Sequence, residues 1–284
     1  MRSVISGRLD LRAGLRDIDN EVLRDNQLVS MAEDPLKSTL RAMCDDWDRR
    51  ARENARYYIA TGHAHWTDEE FFASGESVVA EQILTDMGNI CQGRNGPVSM
   101  RVLEIGCGAG RVTRALARVF GEVHAVDISG EMIAQARAVL ADRPNVFLYQ
   151  NNGMDLSVVP DQPFDFAFSV IVFQHIPSLE VIERYFCEVA RLLRPDALFK
   201  VQVQGRPEAQ LPLRWRLTGK IPLTIRKRFM RPIRRLFLPK PEPTWTGMIL
   251  TPEDAKTLCD NAGFELRYQR CVSREGYWLW CFKK

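Results

Sequence analysis

Residues 101–113 read RVLEIGCGAGRVT, an apolar run that ends in a glycine loop and feeds a helical pattern. No other feature constrains the fold as much, because a strand, a tight glycine turn and a helix in that order open a βαβ unit. Gly106 and Gly108 let the backbone turn sharply and approach a ligand where a Cβ would collide. The helix that follows presents free N–H groups and the positive end of its dipole. Some twenty residues on, a second strand ends in Ala125-Val126-Asp127. A carboxylate at that place accepts hydrogen bonds from ribose hydroxyls. Loop and acid together mark an adenosine site.

The rhythm continues downstream. Strand-like runs at 102–105, 122–126, 146–149, 164–170 and 198–203 alternate with helical runs at 111–119, 131–141 and 179–193. Such alternation predicts a parallel sheet covered on both faces. A basic, proline-containing stretch at 205–247 interrupts it. A helix at 252–262 then stops at Gly263, and strands at 265–272 and 277–282 follow. The short link between those strands predicts a hairpin, an antiparallel edge on an otherwise parallel sheet. Upstream, apolar residues recur at helical spacing from Pro35 to Ala60. Thr67 with Glu70 reads as a capping box, and a further helix is expected over 74–91 before the breaker QGRNGPVS. The fold class expected is α/β, a Rossmann-like doubly wound seven-stranded sheet with an N-terminal helical cap. Residues 1–97 are the helical extension and cap, and residues 98–284 are the α/β domain with a basic insertion at 205–247 after strand five.

Composition narrows the setting. Apolar residues make up 45% and charged residues 26% of the 284-residue chain, ordinary for a soluble protein. No apolar run approaches the ~20 residues of a membrane span, and the N-terminus has no signal-like apolar region. The seven cysteines are scattered, with no C-x-x-C pair. Reduced thiols in a cytoplasmic protein fit that pattern, and no metal is expected. Charge is uneven: residues 206–240 hold eleven Lys/Arg against one Glu, a net +10, which leaves the remainder at −7.

NAD and S-adenosylmethionine both satisfy a glycine loop and a distal acid. Glu104, directly before the loop, would repel a pyrophosphate but suits an ammonium group. The loop is G-x-G-x-G followed by Arg111, not the spacing that packs a helix onto pyrophosphate. The segments VLEIGCGAG, HAVDIS, QNNGMDL, FDFAFSVIVFQHI and RLLRPDALFKVQV follow one another in an order that resembles class I S-adenosylmethionine-dependent methyltransferases. The resemblance covers about 98–205 and resumes through GFELRYQ and YWLWCFKK. It implies that Glu104, Gly106, Cys107 and Gly108 line the methionine end of S-adenosylmethionine, with S-adenosylhomocysteine as product. It implies that Asp127 holds the ribose, Ile128 packs on the adenine, and Asn152-Gly153-Met154 occupy the place that contacts the adenine amino group. Val170 falls at the end of strand four, beside the cofactor.

His175, in VIVFQHIP just past strand four, sits where open α/β sheets bind ligands. It reads as a general base toward an acceptor hydroxyl, or as a residue bonding the local backbone. Tyr57, Tyr58 and Trp66 are aromatic lid or core residues. In LTIRKRFMRPIRRLFLP, Ile225, Phe229, Ile233 and Phe237 recur every four residues with cations between. That stretch, within 211–240, suits peripheral contact with an anionic membrane, closure over an anionic substrate, or a solvated face on a packed helix. Nucleic acid is disfavoured, since the rest of the chain is acidic. The activity expected is O-methylation of a small-molecule, sugar or lipid-linked acceptor. N- or C-methylation, a NAD-dependent oxidoreductase and a non-catalytic cofactor-binding membrane-surface protein are the alternatives. Nothing in the sequence sets the oligomeric state.

Overall fold

Seven helices and seven strands carry the architecture of the computed structural model, which describes residues 35–61, 63, 65–93, 96–205, 247–273 and 276–284. The helices are α1 (Pro35–Ile59), α2 (Asp68–Gln82), α3 (Met87–Cys91), α4 (Thr113–Val119), α5 (Gly130–Val139), α6 (Leu179–Leu192) and α7 (Pro252–Asn261). The strands are β1 (Arg101–Ile105), β2 (Glu122–Asp127), β3 (Val146–Gln150), β4 (Phe164–Ser169), β5 (Leu193–Gln204), β6 (Phe264–Ser273) and β7 (Gly276–Lys283). They form one sheet in the order β3-β2-β1-β4-β5-β7-β6. Strands β1 to β5 run parallel, and β7 lies antiparallel between β5 and β6. The chain leaves β1 toward β2 on one side and toward β4 on the other, which opens a crevice at the carboxyl ends of these strands.

The central strands are buried on both faces, so they read as continuous apolar runs: every residue of β4 is buried. On α6, Val181, Ile182, Tyr185, Phe186 and Val189 are buried at helical spacing, packing one stripe onto the sheet. Lys200 of β5 is buried too. Its ammonium donates to Gln82 O at 2.6 Å and Asp86 Oδ2 at 2.8 Å, and stands 4.5 Å from the Trp280 ring. The same Asp86 oxygen accepts the Trp280 indole N–H. A buried lysine is tolerable only with such partners.

Two local readings change. The helix expected over 74–91 begins earlier, at Asp68, on the Thr67–Glu70 capping box, and ends at Gln82. A 3-10 turn at Leu84–Asp86 and α3 replace its second half. The break places Asp86 where Lys200 and Trp280 can reach it. The helix after the glycine loop starts at Thr113 rather than Arg111, because Gly110 still has φ 83°. In α1, Asn54 is extended (φ −170°) and its Oδ1 accepts from Tyr57 N at 3.2 Å, so the final turn is capped afresh.

The chain divides into two compact units, residues 1–41 and 42–284. In the first, the described residues 35–41 are helical. Residues 1–34 of the expected helical extension, and the amphipathic cationic stretch within 206–246, lie outside the described residues. Both flanks of the basic stretch are described. Gly205 bridges Leu250, and Gly247 N and Met248 N donate to Gln174 O and Ile176 O at 2.8 and 3.0 Å. Among the described residues no helix is long and apolar enough to cross a membrane.

Candidate active site

A cleft of about 890 Å³ opens at the carboxyl ends of β1, β2 and β4. It falls within the unit 42–284.

One wall is the glycine loop. Gly106 has φ 76°, and a Cβ there would lie 2.2 Å from Val172 Cγ2. Gly106 N and Cys107 N both donate to Val126 O, at 2.8 and 3.0 Å. Gly108 N donates to Asp127 Oδ2 at 2.8 Å, and Ser129 N donates to Asp127 Oδ1 at 2.9 Å. Asp127 is therefore fixed through both oxygens. Burial raises its pKa, and the backbone N–H groups pull the other way. Burial also pushes the Cys107 thiol well up, with Asp127 and Glu104 adding to the rise. Burial of this kind disfavours a thiolate at Cys107.

Glu104 projects from β1 into the same cleft and is 2% exposed. Its Oε2 has no hydrogen-bond partner. Burial lifts its pKa to about 7, against the opposing pull of the Thr113 hydroxyl and the Arg111 charge. Arg111 also lines the cleft, and burial lowers its pKa. A buried carboxyl with an unused oxygen in a cleft can receive a cationic group.

Helix α2 holds this wall from behind. A Cβ on Gly75 would stand 2.0 Å from the Arg111 carbonyl oxygen. Gly75→Ala is expected to force α2 off the loop and destabilise the protein by about 1–3 kcal/mol. Urea unfolding checks this; an unchanged midpoint contradicts it.

Helix α1 closes the other side. Asp48 Oδ1 accepts from Ser129 Oγ at 2.5 Å and Glu131 N at 3.2 Å, and Gln135 Nε2 donates to Ala51 O at 2.9 Å. These bonds pin α1 to the turn that carries Asp127. Met43, Trp47, Tyr58 and Ile59 thereby face the cleft. The Arg50 guanidinium stands 5.4 Å from the Trp47 ring and 5.1 Å from the Tyr58 ring, stiffening the wall. Of the three aromatics singled out in sequence, Tyr58 lines the cleft, Tyr57 is exposed, and Trp66 donates its indole N–H to Ala60 O.

The segment after β3 differs from expectation. Asn152, Gly153 and Met154 do not line the cleft. The Asn152 side chain closes a turn: its Oδ1 accepts from Met154 N and Asp155 N at 2.7 and 3.0 Å, and its Nδ2 donates to Asp155 Oδ2. The cleft residue is Asn151, buried, with Nδ2 donating to Tyr185 Oη at 2.7 Å and Asp155 O at 3.4 Å. The carbonyl partner fixes which end of the amide is nitrogen. Asn151 Oδ1 has no partner. Tyr185 also lines the cleft, and burial raises its pKa well above the ordinary value.

His175 ends a 3-10 turn, Phe173–His175, anchored by fully buried Phe173. The imidazole lines the cleft, edge-on to Trp47 at 5.5 Å. Its Nε2 lies 3.2 Å from Gln174 Nε2. An amide nitrogen only donates, so Nε2 is the acceptor in this arrangement. Thus Glu104, Gly106, Cys107, Gly108, Asp127, Ile128, Val170 and His175 all come together in one cleft. Asn151, Tyr185, Arg111, Met43 and Trp47 join them without having been singled out for it. No group of three or more His, Cys, Asp or Glu among the described residues is arranged to hold a metal.

Residues 102–196 match the family model of a methyltransferase domain. The demethylmenaquinone methyltransferase of Tropheryma whipplei (strain Twist) is 29% identical over 137 residues, 48% of this chain and 47% of that protein. A ubiquinone biosynthesis O-methyltransferase of Bradyrhizobium diazoefficiens is 30% identical over 107 residues, 38% of this chain and 41% of that protein. The chain thus spans about half the length, or less, of these curated relatives. The crystal structure of the magnesium protoporphyrin IX methyltransferase of Synechocystis PCC 6803 with bound SAM has a TM-score of 0.54 and 16% identity, covering 89% of this chain and 99% of that one. At that identity the likeness establishes the fold.

Proposed function

We infer that this chain, which belongs to the class I S-adenosylmethionine-dependent methyltransferase superfamily, binds S-adenosylmethionine in the cleft and methylates the hydroxyl of a small, flat, largely apolar acceptor. The observation that carries the reading is Glu104. A buried carboxyl with an unpartnered oxygen, beside a glycine loop locked by Asp127, suits an amino acid joined to a ribose. A pyrophosphate at Glu104 would be repelled, which disfavours a nicotinamide cofactor.

The chain's residues divide the work. Glu104 receives the ammonium group of the methionine moiety, and Asp127 accepts from the ribose hydroxyls. Ile128 packs on the adenine, and Asn151 Oδ1 accepts from its amino group. When bound, S-adenosylmethionine supplies a methyl group already activated by a sulfonium, so the protein's task is alignment in a dry site. His175 takes the hydroxyl proton on Nε2 once the acceptor replaces Gln174 there. Trp47 and Tyr58 offer the acceptor a flat apolar wall, which favours a hydroxylated ring over a bare sugar. The quinone-related names of the relatives support that choice. In sequence, residues 98–284 make up the proposed catalytic domain, preceded by the extension 1–97, with the basic stretch 205–247 between β5 and α7.

The net +10 stretch lies between Gly205, just after β5, and Gly247, which is bonded to the turn that holds His175. This supports an acceptor presented at an anionic membrane surface. One assay tests both points: transfer of labelled methyl from S-adenosylmethionine to hydroxylated aromatic rings, offered free or in anionic vesicles. Labelled product is expected, and more of it from vesicles. His175→Ala is expected to lower kcat about 100-fold with S-adenosylhomocysteine affinity unchanged. Equal turnover in the variant removes His175 as the base.

A further inference from the structure

His175 ends a single 3-10 turn, and such turns have poor hydrogen-bond geometry. The bond from Ile176 N to Phe173 O that closes it is long, at 3.4 Å. Further support comes from a distant part of the chain. Gly247 N donates to Gln174 O at 2.8 Å, and Met248 N donates to Ile176 O at 3.0 Å. The two bonds bracket His175, one on the residue before it and one on the residue after it. They also give partners to carbonyls that the end of a helical turn leaves open.

The approach is close enough to dictate the residue. Gly247 is buried, and a Cβ there would lie 2.3 Å from Gln174 O, 2.6 Å from Gln174 C and 2.9 Å from Ile176 N. All three are main-chain atoms, which cannot swing aside as the end of a side chain can. Gly247 is not among the glycines with positive φ, so glycine is needed here for the approach and not for the backbone angle. The other end of the segment is anchored. Leu250 is 1% exposed, its N–H donates to Gln204 O at 2.9 Å, and it bridges Gly205 just after β5. Thr251 then opens α7 with a capping box to Asp254. Residues 247–250 thus run as a strap from the turn that carries His175 to the end of β5.

We propose that the strap 247–250 is a positioning element for His175 and that Gly247 is the positioning residue on which it depends. The proposal rests on His175 as the base inferred above. A base works only within hydrogen-bond reach of the proton it takes, and a misplacement of about 1 Å costs up to ~100-fold in rate. The test reads the ring directly. The chain has four histidines, and NMR of ring-labelled histidine identifies the His175 signals by their loss in His175→Ala. His124, buried on β2 beside Glu122 and Tyr149, is the internal control. Gly247→Ala pushes on Gln174 O, and Met248→Pro removes the N–H that Ile176 O accepts. Each is expected to shift the His175 signals and leave those of His124 in place. Met248→Leu keeps the N–H and is expected to restore the wild-type His175 signals. Affinity for S-adenosylhomocysteine is expected to stay within about twofold in all of them, since distant sites are independent. With the hydroxylated aromatic rings as acceptors, Gly247→Ala is expected to lower kcat at least about tenfold with little change in KM. It is expected to cost nothing further in the His175→Ala background. Unmoved His175 signals in both Gly247→Ala and Met248→Pro overturn the proposal. Loss of folding, loss of S-adenosylhomocysteine binding or displaced His124 signals in both shows a general structural role and overturns it too. So does a full extra cost of Gly247→Ala on top of His175→Ala. Wild-type turnover by His175→Ala would instead be a failure of the base reading, and the ring signals then decide the strap alone.

Discussion

The ligand-free protein is expected to lose stability as pH rises from about 5 to about 8, and Glu104→Gln is expected to remove most of that loss. Glu104 has a folded pKa of about 7 against an ordinary value of 4.5. Between those values the folded state holds a proton that the unfolded state has released. The stabilisation is complete below the unfolded pKa and is lost as pH rises through the folded one. The difference corresponds to about 3 kcal/mol, or roughly 5–10 °C in melting temperature for a domain of this size. Burial raises the Asp127 pKa as well, so its contribution has the same sign. A cationic ligand reverses the cost, since it supplies the partner that Oε2 lacks. Affinity for S-adenosylhomocysteine should therefore climb as pH rises toward 7 and level off above it. Thermal melts across this range, with and without ligand, check both halves. A flat wild-type profile, or the same slope in Glu104→Gln, contradicts the assignment.

Asp127→Ala is expected to lower S-adenosylhomocysteine affinity about 100-fold or more. The carboxylate has two tasks here. It holds the loop through Gly108 N and Ser129 N, and it is the proposed acceptor for the ribose hydroxyls. Hydrogen bonds to a charged group contribute about 1.5–3 kcal/mol each, so losing two to the ribose is enough for that factor. Folding should suffer less than binding, because removing a partly buried carboxylate relieves its desolvation even as it frees backbone N–H groups. Asp127→Asn keeps one oxygen and should fall between. Calorimetry of the three proteins decides it; an alanine variant within fivefold of wild type would remove Asp127 from the site.

The fold was legible in the sequence because parallel strands are buried on both faces and helices on one. Continuous apolar runs such as FDFAFS therefore alternate visibly with amphipathic stretches such as 179–192. Much of the cleft was legible for a related reason: Glu104, Gly106, Gly108 and Asp127 sit at strand ends, where local motif and position coincide. What was not legible depends on single-residue register or distant packing. Asn151 and Asn152 are chemically identical, and only the turn after β3 decides which amide enters the cleft. Trp47 and Met43 lie on the apolar stripe of α1, where a cleft residue and a core residue look alike. The break after Gln82 depends on Asp86 meeting Lys200, 114 residues away. The positive φ of Ile171 is hidden in a run of branched apolar residues that reads as strand.

The most direct test of the central claim is calorimetric titration of the wild-type protein with S-adenosylmethionine and S-adenosylhomocysteine, with NADH in parallel. Saturable binding of both adenosyl ligands in the micromolar range, with none for NADH, is the predicted result. A well-folded protein that binds neither adenosyl ligand, or that binds NADH as tightly, would contradict it.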